Sequence, residues 1–270
     1  MPWERPHPKR FLLDLRDKQS SKGWNVARIG IIAGTGFYHL PALAGATPEV
    51  IETDFGKALV TSGSWHGREI SFLTRHGVDH SVPPSAVNYR ANISALKNLG
   101  VEMVIAINVV GGIDPSLVAG SLSLVNDFID FTSGREDTFF DGVQPGGVQH
   151  IDMSDAYDSK VREALFASAQ NAKIPLYPKG VYAGFNGPRF ETPAEIRLAA
   201  LAGATVVGMT GCPEVSLARE AGLRYASIAV VVNPAAGIND QPIMMEEIKR
   251  TLDEASAKVI TIIDGAIELM

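Results

Sequence analysis

Apolar residues along this chain fall into short unbroken runs separated by amphipathic stretches, and that alternation predicts a succession of strands and helices. An apolar run of about four to eight residues marks a strand covered on both faces, whereas apolar positions three and four apart mark a helix packed on one side. Strands are predicted at 28–33, 68–74, 101–107, 121–130, 181–185, 204–209 and 223–232. Helices are expected from 87–92 to Leu99, from a cap at 153–158 to about Asn171, from Thr192 to Gly203, from 210–213 to Gly222, and over about 244–269. Thr192 reads as an N-cap with Pro193 at the first helical position, and Gly203 as a stop. The expected class is α/β, a single domain with a mixed, mainly parallel sheet flanked by helices. Residues 1–27 form an N-terminal extension with a short amphipathic piece at 11–15, and residues 28–270 form the domain.

Polar residues gather where the predicted strands end. Gly34-Thr35-Gly36 follows the first strand, and its glycines let backbone amides approach an anion. An ordinary tight turn is equally compatible. A dinucleotide fingerprint would need a third glycine where His39 stands, although Glu52 and Asp54 lie at the right distance for a ribose carboxylate. Arg75-His76-Gly77 follows the strand at 68–74, and a guanidinium there suits a phosphate. Leu73-Thr74-Arg75-His76-Gly77 also resembles the opening of histidine phosphatases, which need a later histidine, but none of the six lies after His150. Asn108 to Gly112 reads as a further strand end with a glycine turn, and 186–191 and 209–213 as two more ends running into helices. Open α/β sheets place ligands at such ends, and helix N-termini suit anions. Helix caps and a surface ion pair would explain each feature singly, but not their joint occurrence.

Composition narrows the function. The net charge of −6 and pI near 5.5 give no electrostatic footprint for nucleic acid. The single cysteine, Cys212, forms no intramolecular disulfide, and no Cys/His cluster has zinc spacing, which fits a reducing cytoplasm. The start of the chain lacks a signal-type apolar stretch and no 18-residue apolar run occurs, so a soluble protein without membrane contact is expected. Work on a small molecule is the class left.

Taken together, Gly34-Thr35-Gly36, Arg75-His76-Gly77, Val87-Asn88-Tyr89, Asn108 to Gly112, 153–157, Gly187 to Thr192, and Gly208-Met209-Thr210 with Pro213-Glu214 resemble the trimeric purine nucleoside and methylthioadenosine phosphorylases. The likeness spans 28–270 with the motifs in order. It implies reversible phosphorolysis of a purine nucleoside, with phosphate as co-substrate and no metal or redox cofactor. Carried over by position, Thr35, Arg75, His76 and Thr210 hold phosphate with the amide near Val109. Met209 lies against the ribose, Phe190 against the base, and Glu191 and Asn233 read the purine. His150 would approach the 5′ position from a neighbouring subunit of a homotrimer or dimer of trimers, although a lone histidine in a Gly-rich loop is more often a surface residue. Ile243, Met244, Met245 and Ile248 would line the rest of the 5′ pocket, or belong to the core.

Glu191 and Asn233 bear on the choice of base. In the family the position of Asn233 carries Asp in adenine-specific enzymes and Asn in 6-oxopurine enzymes. An Asn amide alone is ambiguous, since it pairs with either purine. An ionised Glu191 accepts from the N1–H of a 6-oxopurine, whereas adenine N1 opposes it with a lone pair. The plainer readings are a first-turn acid for Glu191 and a turn former for Asn233 before proline. The resemblance thus implies a 6-oxopurine phosphorylase, S-methyl-5′-thioinosine being the favoured substrate and inosine or guanosine next. The alternatives are a methylthioadenosine phosphorylase and a nucleoside-binding protein without turnover.

Overall fold

A computed structural model describes residues 27–38, 40–77, 81–143 and 147–270. The extension up to residue 26 and His39 lie outside the described residues. Strand β5 (Val101–Gly112) is the axis of the sheet. Met103, Ile105 and Ile107 pack beneath α2 (Ser159–Asn171) and α5 (Met245–Leu269). Val104, Ala106 and Val110 pack on the opposite face, beneath α1 (Tyr89–Asn98) and α4 (Gly211–Glu220). With both faces covered, the strand reads as a nearly continuous apolar run. No described helix is long and apolar enough to cross a membrane.

On one edge of β5 lies β9 (Arg224–Pro234), parallel to it over nearly its whole length. The other edge is shared. β1 (Arg28–Ala33) runs parallel as far as Ala106, and beyond it Gly111 and Gly112 pair with the short antiparallel β8 (Val206–Gly208). From β1 the sheet continues through the parallel β4 (Arg68–Thr74) to the antiparallel hairpin of β2 (Glu49–Thr53) and β3 (Gly56–Trp65). From β8 it continues through β7 (Tyr177–Gly184) and β6 (Leu122–Asp130) back to β9. β5, β8, β7, β6 and β9 therefore close into a ring. The α/β class with a mixed sheet is as expected from the sequence; the closure is not something a list of strands discloses.

Two local expectations change, and one hairpin is added to them. Asn108 to Gly112 do not turn but continue β5, because Gly111 and Gly112 are hydrogen-bonded to β8 on one side and β9 on the other. The strand expected at 204–209 shrinks to Val206–Gly208, where the backbone crosses the Tyr182 phenol so closely that a Cβ on Gly208 would lie 2.4 Å from its oxygen. The β2–β3 hairpin escaped notice because β2 is largely exposed and carries no apolar run.

The ring depends on Gly112, whose added Cβ would meet the Leu117 carbonyl oxygen at 2.3 Å and the Val231 side chain at 3.1 Å. Gly112→Ala is expected to lower unfolding free energy by about 1–3 kcal/mol, read as a reduced urea midpoint with unchanged slope. An unchanged midpoint would show that this crossing is not close-packed.

Candidate active site

The split at β5 leaves the carboxyl ends of β1, β4 and β9 facing the β8–α4 junction, and a cavity of about 310 Å³ opens among them. Thr35, Arg75, His76, Val109, Met209, Thr210, Phe190, Glu191, Asn233 and Met245 all line it, together with Ile243 and Ile248. Met244 does not. It is the residue before the first turn of α5, with extended backbone and a half-exposed side chain, while Met245, the first residue of the helix, contributes to the lining although it too stays exposed. His150 is exposed and lies outside the lining of its own chain's cavity.

One end of the cavity is built around Arg75, which is 3% exposed. Its Nε and Nη2 donate to the two carboxylate oxygens of Glu214 at 2.6 and 2.7 Å, and Nη1 donates to the Ile107 carbonyl at 2.7 Å. Burial works against the charge of the guanidinium, but Glu214 outweighs it and holds the pKa above the ordinary arginine value. Glu214 also accepts from the Tyr225 hydroxyl at 2.7 Å. Breaking such a pair by removing one partner costs about 3–5 kcal/mol, because the other charge stays buried. Arg75 is thus fixed in place before any ligand arrives.

Hydrogen-bond chains orient the neighbouring donors. Ser227 Oγ donates to Asn108 Oδ1 at 2.7 Å, and Asn108 Nδ2 donates to Thr210 Oγ1 at 3.1 Å. The Thr210 oxygen is occupied as an acceptor by that bond, which leaves its proton to be donated to an anion. His76 Nδ1 lies 2.8 Å from the Val82 carbonyl, which only accepts, so Nδ1 carries the proton. A neutral imidazole then presents Nε2 as an acceptor, the complement of a phosphate oxygen that bears hydrogen. The Thr35 side chain is hydrogen-bonded to Tyr38. The start of α4 is not the open anion site that the sequence suggested. The Thr210 and Gly211 amides donate to the Tyr182 hydroxyl at 3.1 and 3.0 Å, so Thr210 serves the cavity through its side chain.

The other end belongs to the loop between β7 and α3 (Pro193–Leu201). Thr192 and Glu195 form a reciprocal capping box, and Arg189 adds bonds to Glu195 of 2.9 and 2.8 Å. Glu195 is therefore the first-turn acid, and the helix-dipole explanation of Glu191 falls away. Glu191 is 8% exposed, its Oε1 has no hydrogen-bond partner among the described residues, and it lines the cavity. Burial raises its pKa above the usual glutamate value. Asn233 donates one amide hydrogen to Pro234 O at 2.6 Å, which leaves its second N–H and its Oδ1 for other partners. Gly187, at φ +62°, permits close passage over Met209, whose Sδ would lie 2.4 Å from an added Cβ.

The phosphorylase superfamily model matches residues 28–268. The chain belongs to that family. It is 40% identical over 247 residues to the 6-oxopurine nucleoside phosphorylase of Pyrococcus furiosus, covering 90% of this chain and 93% of that protein. It is 44% identical over 232 residues to a probable S-methyl-5′-thioinosine phosphorylase of Pseudomonas syringae pv. tomato, covering 85% and 94% respectively. Among solved structures, a methylthioadenosine phosphorylase from Schistosoma mansoni in complex with adenine superposes with a TM-score of 0.84 at 33% identity, over 90% of this chain and 91% of that one. Among the described residues no three His, Cys, Asp or Glu side chains are grouped to hold a metal ion.

Nothing in the sequence pattern assigns a role to Glu214, Asn108, Tyr182, Tyr225 or Ser227. Their signal was present in principle: Asn108, Tyr225 and Ser227 interrupt otherwise apolar strand faces, where an unpaired polar group would be costly.

A carboxyl whose pKa is raised on folding adds stability that is complete below its unfolded pKa and lost as pH rises through the folded value. Near neutral pH the ionised Glu191 is therefore a burden on the empty protein. Glu191→Gln is expected to raise the melting temperature near pH 7 and to change it little below pH ~4, where unfolded glutamate protonates. Equal melting temperatures at both pH values would mean that the carboxylate is fully hydrated.

Proposed function

We propose that this protein catalyses the reversible, phosphate-dependent cleavage of the N-glycosidic bond of 6-oxopurine nucleosides, with S-methyl-5′-thioinosine favoured and inosine and guanosine next. The observation that carries the choice of base is the buried, unpartnered Glu191 oxygen in a cavity that also holds Asn233. A 6-oxopurine offers an N1–H to that oxygen, and Asn233 donates to O6 or N7. Adenine would set an N1 lone pair against the carboxylate, and a buried polar group left mispaired discriminates by about 10⁴-fold.

Phosphate held by Thr35, Arg75, His76 and Thr210, with the amide near Val109, attacks the anomeric carbon as the bond to the purine breaks. The bonding pair leaves with the base, where Asn233 and Glu191 fix the purine while charge develops on it; the sugar becomes a ribose 1-phosphate derivative. The reaction consumes nucleoside and phosphate alone. Phe190 lies against the base and Met209 against the ribose. Ile243, Met245 and Ile248 give the 5′ end an apolar wall that suits a methylthio group better than a hydroxyl. The proposal includes a homotrimer, or a dimer of trimers, in which His150 reaches a neighbouring subunit's site, and a cytoplasmic role in purine salvage.

Phosphorolysis of S-methyl-5′-thioadenosine is the second reading, favoured by the likeness to methylthioadenosine phosphorylase structures. Phosphate-dependent base release from methylthioinosine, inosine, guanosine and methylthioadenosine separates the two. The expected kcat/KM for 6-oxopurine nucleosides exceeds that for methylthioadenosine by on the order of 10⁴. Rapid cleavage of methylthioadenosine alone would sink the proposal, and purine binding without phosphate-dependent release from any nucleoside would leave a binding protein. Asn233→Asp combined with Glu191→Ser should raise activity on adenine nucleosides; if those gain nothing, base choice lies elsewhere.

A further inference from the structure

Arg135 lies in the loop after β6, lines no part of the cavity, and belongs to none of the sequence motifs at the strand ends. Its guanidinium nonetheless reaches the backbone of several segments that form the cavity. Nη2 donates to Met209 O at 2.9 Å and Asn186 O at 3.0 Å, with Phe185 O at 3.4 Å. Nη1 donates to Cys212 O and, at 3.2 Å, to the Tyr89 hydroxyl, and the guanidinium carbon sits 5.4 Å from the centre of that ring. The Tyr89 hydroxyl in turn donates to the carbonyl of Pro84, a cavity residue, at 2.9 Å. The loop that carries Arg135 is itself held at both sides. Ser133 and Asn186 exchange hydrogen bonds of 3.0 and 3.2 Å, and Glu220 accepts from Thr138 Oγ1 and Phe139 N, both at 2.7 Å.

We propose that Arg135 is a positioning residue that sets the spacing between the base-reading loop at 185–191 and the sugar- and phosphate-facing segment at 209–212. The two segments come from different strands, β7 and β8, and a nucleoside must engage both at once. Carbonyls cannot hydrogen-bond one another, so two backbone stretches that present oxygens to the same point need a donor between them. A planar guanidinium with five N–H groups in a fixed fork supplies one, and an ammonium does not reach the same set. Phosphate alone and the free base alone each need only one segment. Bond cleavage needs both in register, where a displacement near 1 Å costs about 10²-fold in rate.

This inference rests on the proposed phosphorolysis for its kinetic test. With wild type, Arg135→Met and Arg135→Lys, kcat on methylthioinosine is expected to fall about 10²-fold for Met and less for Lys. Calorimetric Kd values for phosphate alone and hypoxanthine alone should change by less than about threefold, because each half-site keeps its own residues; this bound follows from the absence of Arg135 from the cavity wall. Unchanged kcat per folded molecule would overturn the proposal, as would a tenfold loss of a single ligand's affinity with kcat preserved, the mark of a direct contact. Should Arg135→Met not fold, Tyr89→Phe removes one partner of the same guanidinium and should lower kcat in the same pattern by a smaller factor. Hydrogen exchange of the ligand-free protein reads the lock without turnover. Arg135→Met should speed exchange at 185–191 and 209–212 together while α2 and α5 stay unchanged, and no acceleration at either segment would overturn the proposal. A wild type without phosphorolysis, but with this exchange pattern, would fail the functional reading alone.

Discussion

Arg75 and Glu214 lie at the floor of the cavity with side chains 1% exposed, joined by two short hydrogen bonds. Neither charge would be tolerated there without the other. The pair ties the end of β4 to the first turn of α4, and through Tyr225 it also takes hold of β9. Strands that arrive from different parts of the sequence are thus fixed relative to one another at the point where an anion would sit. The arrangement also tempers the field. On the proposed function Arg75 would offer phosphate a position and a partial positive charge and not an unopposed cation, and Thr35, His76 and Thr210 would share the work of binding. A phosphate held moderately is one that can leave its donors for an anomeric carbon, since catalysis is served by interactions that strengthen in the transition state.

The sheet explains why the cavity is where it is. β5 changes neighbour part-way along one edge, from β1 to β8, and the gap between them is the site. On the phosphate side the wall is made of strand ends, and on the base side it is a loop stiffened by the capping box of α3 and by Arg135. The contrast fits the two ligands. On the proposed function, phosphate would be met by side chains at the strand ends, of which Arg75 and His76 are buried, whereas the purine would be read by Phe190 and Glu191 on a loop whose position needs further support. Differences in base preference among relatives of similar fold can then arise from the loop and Asn233 without disturbing the phosphate end.

Much of this was legible in the sequence because the signals are local. Strand runs, the Thr192-Pro193 helix start and the polar residues at the ends of β1, β4 and β9 are all properties of a few adjacent residues, and Thr35, Arg75, His76 and Asn233 at those ends do meet in one cavity. What remained hidden was set by pairing across the chain. Asn108 looked like part of a glycine turn, yet it lies within β5 and acts through Ser227 and Thr210. Arg135 had no motif around it because its partners are backbone carbonyls, which any residue supplies. Glu191 could equally have been a helix-dipole residue until the position of Glu195 in the first turn of α3 removed that choice. Met244 and Met245 were indistinguishable by composition and are separated only by the point at which α5 begins.

On the proposed function, Glu191 and Asn233 form a socket for a 6-oxopurine. Titration calorimetry with hypoxanthine and with adenine, each in saturating phosphate, addresses it without relying on turnover or on the 5′ substituent. Hypoxanthine is expected to bind far more tightly than adenine near pH 7, with its advantage lost as acidification protonates Glu191. Adenine binding as tightly as hypoxanthine, or a preference that does not change with pH, would contradict the account.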